Sequence, residues 1–109
     1  MLTKADILDA LRNCFDPEMK LNLVDLGLIY GIETEPDPGS RPAWPRQRVK
    51  VTMTLTTPHC PASGLILEQV QNRLAGIPDI SRVEVNLVWD PPWTQDRISE
   101  AGRLELGMM

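Results

Sequence analysis

Residues 48–56 read RVKVTMTLT, with Val49, Val51, Met53 and Leu55 alternating against Arg48, Lys50, Thr52, Thr54 and Thr56. A period of two places the apolar side chains on one face of an extended chain, so this segment predicts a half-buried strand. From Ala62 the period changes: Ala62, Ile66, Val70, Leu74 and Ile77 recur every three or four residues among Gln69, Gln71, Asn72 and Arg73, the pattern of an amphipathic helix that Gly76 and Pro78 then stop. RVEVNLVW, residues 82–89, alternates again through Val83, Val85, Leu87 and Trp89. Two strands joined through a helix of this length require a parallel crossover, and few small folds accommodate one.

The remaining elements attach to that unit. Thr3 and Asp6 have capping-box spacing, and the stripe of Ile7 and Leu11 predicts a helix over 4–14. DPEMKLNLVDLG, residues 16–27, reads as irregular, opened by the pre-proline restriction at Asp16 and closed by Gly27. LIYGIETE, residues 28–35, is a strand candidate. The proline-rich stretch 36–46, PDPGSRPAWPR, is expected as a solvent-facing loop joining an antiparallel pair, because its four prolines cannot donate ladder hydrogen bonds. A last helix is expected from Thr94 to Leu106, stopped by Gly107. The predicted fold is an α/β (α+β) domain of order αββαβα, a three-stranded mixed sheet with helices packed on its apolar face. Val49, Val51, Met53, Leu55, Val83, Val85 and Leu87 are expected to meet Ile66, Val70 and Leu74 in the core.

A chain of 109 residues suffices for one domain, taken here as 1–109. Its net charge of −4 gives no basic stripe to neutralise phosphates, which argues against nucleic-acid binding. The opening MLTKADILDAL lacks a basic stretch followed by an unbroken apolar run, so neither a leader nor a membrane span is expected, and the expected compartment is the cytoplasm.

Two cysteines, Cys14 and Cys60, are too few and too far apart for a disulfide framework or a CxxC knuckle, so each must act singly. Cys14 follows Ile7 and Leu11 at helical spacing and reads as an inert thiol on the apolar face of the first helix. Cys60 lies in TTPHCP, between a strand and a helix, with Pro61 suited to the first helical position, so it is the expected N-cap. Unsatisfied N–H groups and the positive helix end favour thiolate there, the form that attacks or binds metal. The alternatives are a small turn residue, a nucleophile or a metal ligand. His59 is the sole histidine, and sequence neighbours point apart, which makes it a poor base for Cys60 and leaves a ligand or a bystander. Asp16, Glu18 and Asp25 cluster in the irregular segment as turn-forming acids or as acid–base or metal groups. Trp89 and Trp93 flank Asp90-Pro91-Pro92 as partner anchors or as caps on the core.

Three blocks in order, DPEMKLNLVDLGLIY, VTMTLTTPHCP and LVWDPPWTQDRISEAGRLELG, resemble the SufT and PaaD-type metal-sulfur cluster assembly factors. The resemblance implies a compact α/β domain that assists maturation or delivery of iron-sulfur clusters, with Cys60 as the functional cysteine and Asp16, Thr56 and Thr57 in its neighbourhood. His59 stands where the family often has glycine. Such clusters want about four thiolates, and this chain offers one, so any cluster is expected to be transient and labile. A second copy, the assembly machinery, client apoproteins or small thiols would complete the shell. The expectation is therefore a non-enzymatic carrier or adaptor. Its competitors are a thiol-dependent enzyme with Cys60 as nucleophile and a structural interaction module in which Cys60 is dispensable.

Overall fold

The computed structural model describes residues 2–56 and 63–107. Helix α1 spans Lys4–Leu11 and opens on the anticipated capping box: the Asp6 N–H donates to the Thr3 hydroxyl, and the Thr3 N–H donates to the Asp6 carboxylate at 2.8 Å. It is shorter than its apolar stripe suggested. The N–H groups of Asn13 and Cys14 bond to the carbonyls of Ala10 and Leu11, a tighter i to i−3 pattern that turns the chain out of the helix. Cys14 therefore lies beyond α1 and not on its face, yet it is buried all the same.

The segment expected to be irregular holds two short strands, β1 (Phe15–Asp16) and β2 (Leu21–Asn22), paired antiparallel. Two-residue strands fall below the length at which alternation can be recognised. The turn between them needs Lys20 in the left-handed region, at φ 57°.

Strands β3 (Ile29–Pro36), β4 (Gln47–Met53) and β5 (Ile80–Leu87) form the main sheet in the order β3-β4-β5. β3 and β4 are antiparallel, and β4 and β5 are parallel, joined through α2 (Ser63–Ala75). This is the mixed three-stranded sheet the sequence predicts. Val49, Val51 and Met53 are buried, as are Ile66, Val70 and Leu74 of α2 and Ile7 and Leu11 of α1, so both helices contribute to one core with the sheet. Leu21, Leu23, Leu26 and Leu28 extend it under the β1–β2 hairpin.

Three expectations are corrected. Val83, Val85 and Leu87 are half-buried, because β5 is an edge strand and its core face is only partly roofed by α2. Trp89 lies beyond β5 and is exposed. The C-terminal helix is also broken. A single 3₁₀ turn, Gln95–Arg97, is followed by extended backbone at Ile98, and only then does α3 (Glu100–Leu106) begin. The reason is local: Ser99 is an N-cap whose hydroxyl accepts from the Gly102 N–H at 3.0 Å, and Ile98 is pinned in the core.

Candidate functional site

Asp16 ends β1, and its carboxylate is buried under the turn it shapes. Oδ1 accepts from the backbone N–H groups of Glu18 (2.8 Å) and Met19 (3.2 Å), and its carbonyl accepts from Lys20. A short acid that folds back on the following backbone is a turn-former. Glu18, in the same turn, is exposed.

The hairpin is clamped to α2 by a residue that sequence reasoning passed over. The Gln69 side chain accepts from the Phe15 N–H (3.2 Å) and donates to the Phe15 carbonyl (3.0 Å), so one amide satisfies both backbone groups of an unpaired strand edge. In the sequence Gln69 was one polar residue among several on the wet face of a helix. Phe15 is 48% exposed, and Leu65, one turn earlier on α2, is 54% exposed, so apolar surface borders this clamp.

Asp25 belongs to a second junction. Its carboxylate accepts from the Asn22 amide (2.7 Å) and from the Ser99 hydroxyl (3.0 Å), while its carbonyl accepts from the Ser99 N–H (2.8 Å). It thereby fastens the N-terminus of α3 to the 22–27 turn. Gly102 is part of this fit: a Cβ there would lie 2.9 Å from Leu21 and 3.2 Å from Asp25. Trp93 closes the same junction, its indole N–H donating to the Leu26 carbonyl at 2.7 Å while the ring is half-buried. Further along, Tyr30 donates to the Pro91 carbonyl (2.7 Å), and the Arg97 guanidinium stacks over its ring at 4.7 Å.

The acids are thus divided between two junctions, Asp16 and Glu18 in one turn and Asp25 with Trp93 in another. Among the described residues, no group of three or more histidine, cysteine or acidic side chains is placed to hold a metal ion. Cys14 is 1% exposed, and burial pushes its thiol above the ordinary value despite the opposing charge of Arg73. The thiol there is neutral and enclosed, unsuited to attack or ligation.

β4 stops at Met53, and the chain continues through Thr54 and Leu55, both buried, to half-buried Thr56. Thr54 was expected on the polar face of its strand. Its backbone N–H bonds to the Leu28 carbonyl, but its hydroxyl is fully enclosed with no partner among the described residues. Such an orphan costs about 1–3 kcal/mol. Thr57, His59 and Cys60, and with them the N-cap expectation, lie outside the described residues.

Residues 4–87 match the model of a family described as iron-sulfur cluster assembly protein. The chain belongs to that family. It is 41% identical over 93 residues to the Fe-S protein maturation auxiliary factor SufT of Staphylococcus aureus, covering 85% of this chain and 96% of that one. It is 35% identical over 105 residues to the Fe-S protein maturation auxiliary factor YitW of Bacillus subtilis, covering 96% and 94%. A solved conserved hypothetical protein of Thermotoga maritima superimposes with a TM-score of 0.74 at 42% identity, over 97% of this chain and 95% of that one. The resemblance drawn from the three sequence blocks is therefore borne out. No helix among the described residues is long and apolar enough to cross a membrane.

Proposed function

We propose that this protein is a non-enzymatic accessory factor in iron-sulfur cluster assembly or delivery, in which Cys60 supplies a transient thiolate to a cluster carried as cargo or contacts the assembly machinery. The observation that carries this reading is the enclosure of Cys14. With one of two cysteines withdrawn into the core, thiolate chemistry falls to Cys60 alone. One thiolate is about a quarter of an iron-sulfur ligand shell, so the rest comes from client apoproteins, the assembly machinery or small thiols. An incomplete shell suits release rather than storage. A nucleophilic role for Cys60 has less support, since the chain has one histidine, the adjacent His59, and the Asp16 and Asp25 carboxylates are spent on turns.

Asp16, Glu18, Asp25 and Trp93 enter this reading as contact residues for a partner, and Thr56 and Thr57 precede Cys60 in the sequence. His59 is a labile extra ligand or a bystander. The test is anaerobic reconstitution with iron and sulfide, comparing wild type, Cys60→Ala and Cys14→Ala by visible absorption and analytical ultracentrifugation. Loss of the chromophore in Cys60→Ala and its retention in Cys14→Ala support the reading. Full cluster uptake by Cys60→Ala removes it.

A further inference from the structure

The outer side of β5 is an open sheet edge: β5 is last in the order β3-β4-β5, and no described strand pairs with its far side. Long exposed edges are templates for another strand. The other edge, β3, is blunted. It is interrupted between Ile29 and Gly31, it ends in Pro36, and its charged side chains are the acids Glu33 and Glu35. On β5 the charges are mixed, Arg82 and Glu84, both exposed and neither in an ion pair among the described residues.

The direction of the free backbone groups follows from the ladder. The Val88 N–H bonds to the Met53 carbonyl, and in a parallel pair every second residue faces the neighbour. Asn86 and Glu84 therefore bond towards β4, whereas Val83 and Val85 turn their N–H and C=O groups outward. Near the start of β5 the register shifts opposite Gln47 and Arg48, and Arg46 donates to the Ile80 carbonyl, which limits pairing to the part of β5 beyond it.

We propose that β5 pairs antiparallel with β5 of a second copy about a two-fold axis at Val83. In that register Val83 faces Val83 of the second copy as a hydrogen-bonded pair. Arg82 of each chain lies directly opposite Glu84 of the other, in the closer, non-hydrogen-bonded positions. The charges choose this register. Arg82 is aligned with Arg48 of β4, which is already occupied by Asp37 and Glu35, and Glu84 with Lys50, so it is Arg82 that meets a like charge on its inner side and gains an acid on its outer side. Moving the axis to Val85 would set Glu84 opposite Asn86 and lose both ion pairs. The half-buried Val83 side chains meanwhile cover one another across the joint, and Val85 lies opposite Ser81 of the second copy.

Antiparallel pairing at β5 leaves the C-terminal ends of the two β4 strands at opposite ends of the doubled sheet. This self-association is thus separate from any sharing of a cluster through Cys60, and the two are tested separately.

The experiment is sedimentation equilibrium of the full chain over a micromolar to millimolar series for wild type, Arg82→Glu, Glu84→Arg and the double reversal. Each single reversal sets like charges opposite each other twice and is expected to raise the dimer dissociation constant by about tenfold or more. The double reversal restores both pairs and is expected to restore wild-type association. An equimolar mixture of the two single variants is expected to form a heterodimer, because each then supplies the charge the other lacks. Circular dichroism and melting temperature confirm that these exposed substitutions leave the fold in place. A monomeric wild type throughout the series overturns the proposal, as does association of the single variants at wild-type strength or failure of the double reversal to recover it.

Discussion

Gly27 is the point at which the C-terminal segment depends on one missing methyl group. It sits at φ +79°, and a Cβ there would lie 2.3 Å from the Arg97 carbonyl oxygen, 2.7 Å from the Arg97 Cβ and 2.8 Å from its carbonyl carbon. An alanine first meets the left-handed penalty of about 1–2 kcal/mol. It also meets backbone, which cannot rotate aside as a side chain can, so Arg97 must retreat. Retreat loosens the Arg97–Tyr30 stacking, worth about 0.5–1 kcal/mol, and strains the Ser99 to Asp25 backbone bond, worth about 1 kcal/mol. Gly27→Ala is therefore expected to cost about 2.5–4 kcal/mol. At roughly 4–8 °C per kcal/mol for a domain of this size, the melting temperature should fall by more than about 10 °C. Urea titration followed by far-ultraviolet circular dichroism and tryptophan fluorescence measures the loss. Gly64→Ala is the control: a Cβ there meets nothing within 4 Å, and alanine is the better helix former by about 1 kcal/mol. A Gly27→Ala protein within about 1 kcal/mol of wild type would refute the packing argument, since neither the dihedral nor the contact with Arg97 could then hold as described.

Alkylation of native protein followed by mass mapping should label Cys60 well before Cys14, whose raised thiol pKa and enclosure leave little reactive thiolate; equal labelling would place Cys14 at the surface. Acid should weaken the β3–β4 loop. The Ser81 hydroxyl, the Gly39 N–H and Arg48 hold the Asp37 carboxyl below its ordinary value of 3.8. A lowered folded pKa means stability that is present above that ordinary value and lost as pH falls through the lower folded one. Asp37→Asn should therefore reduce stability near neutrality and bring the variant and wild-type curves together in strong acid, as read from melting temperature against pH; a constant gap would assign the effect to shape instead of charge.

The strand–helix–strand unit could be read from the chain because its periods are long enough to declare themselves. Val49, Val51 and Met53 alternate over a full strand, and Ile66, Val70 and Leu74 recur over about two turns, so the buried face and the parallel crossover follow from local spacing. The α1 cap was legible for the same reason, since Thr3 and Asp6 satisfy one another within a single turn. Cys60 stood out through its position between two such elements. What the tertiary structure decided was everything whose partner is distant in sequence. Gln69 looks like any exposed helix residue until Phe15, 54 positions earlier in the sequence, is brought against it. Asp25 looks like a candidate acid until Ser99 and Asn22 occupy its carboxylate. The end of the final helix pattern, the half-burial of β5 and the enclosure of Thr54 likewise depend on which surfaces meet. A single chain encodes those meetings only through the free energy of the whole fold, in which one distant hydrogen bond worth about 1 kcal/mol leaves no periodic trace.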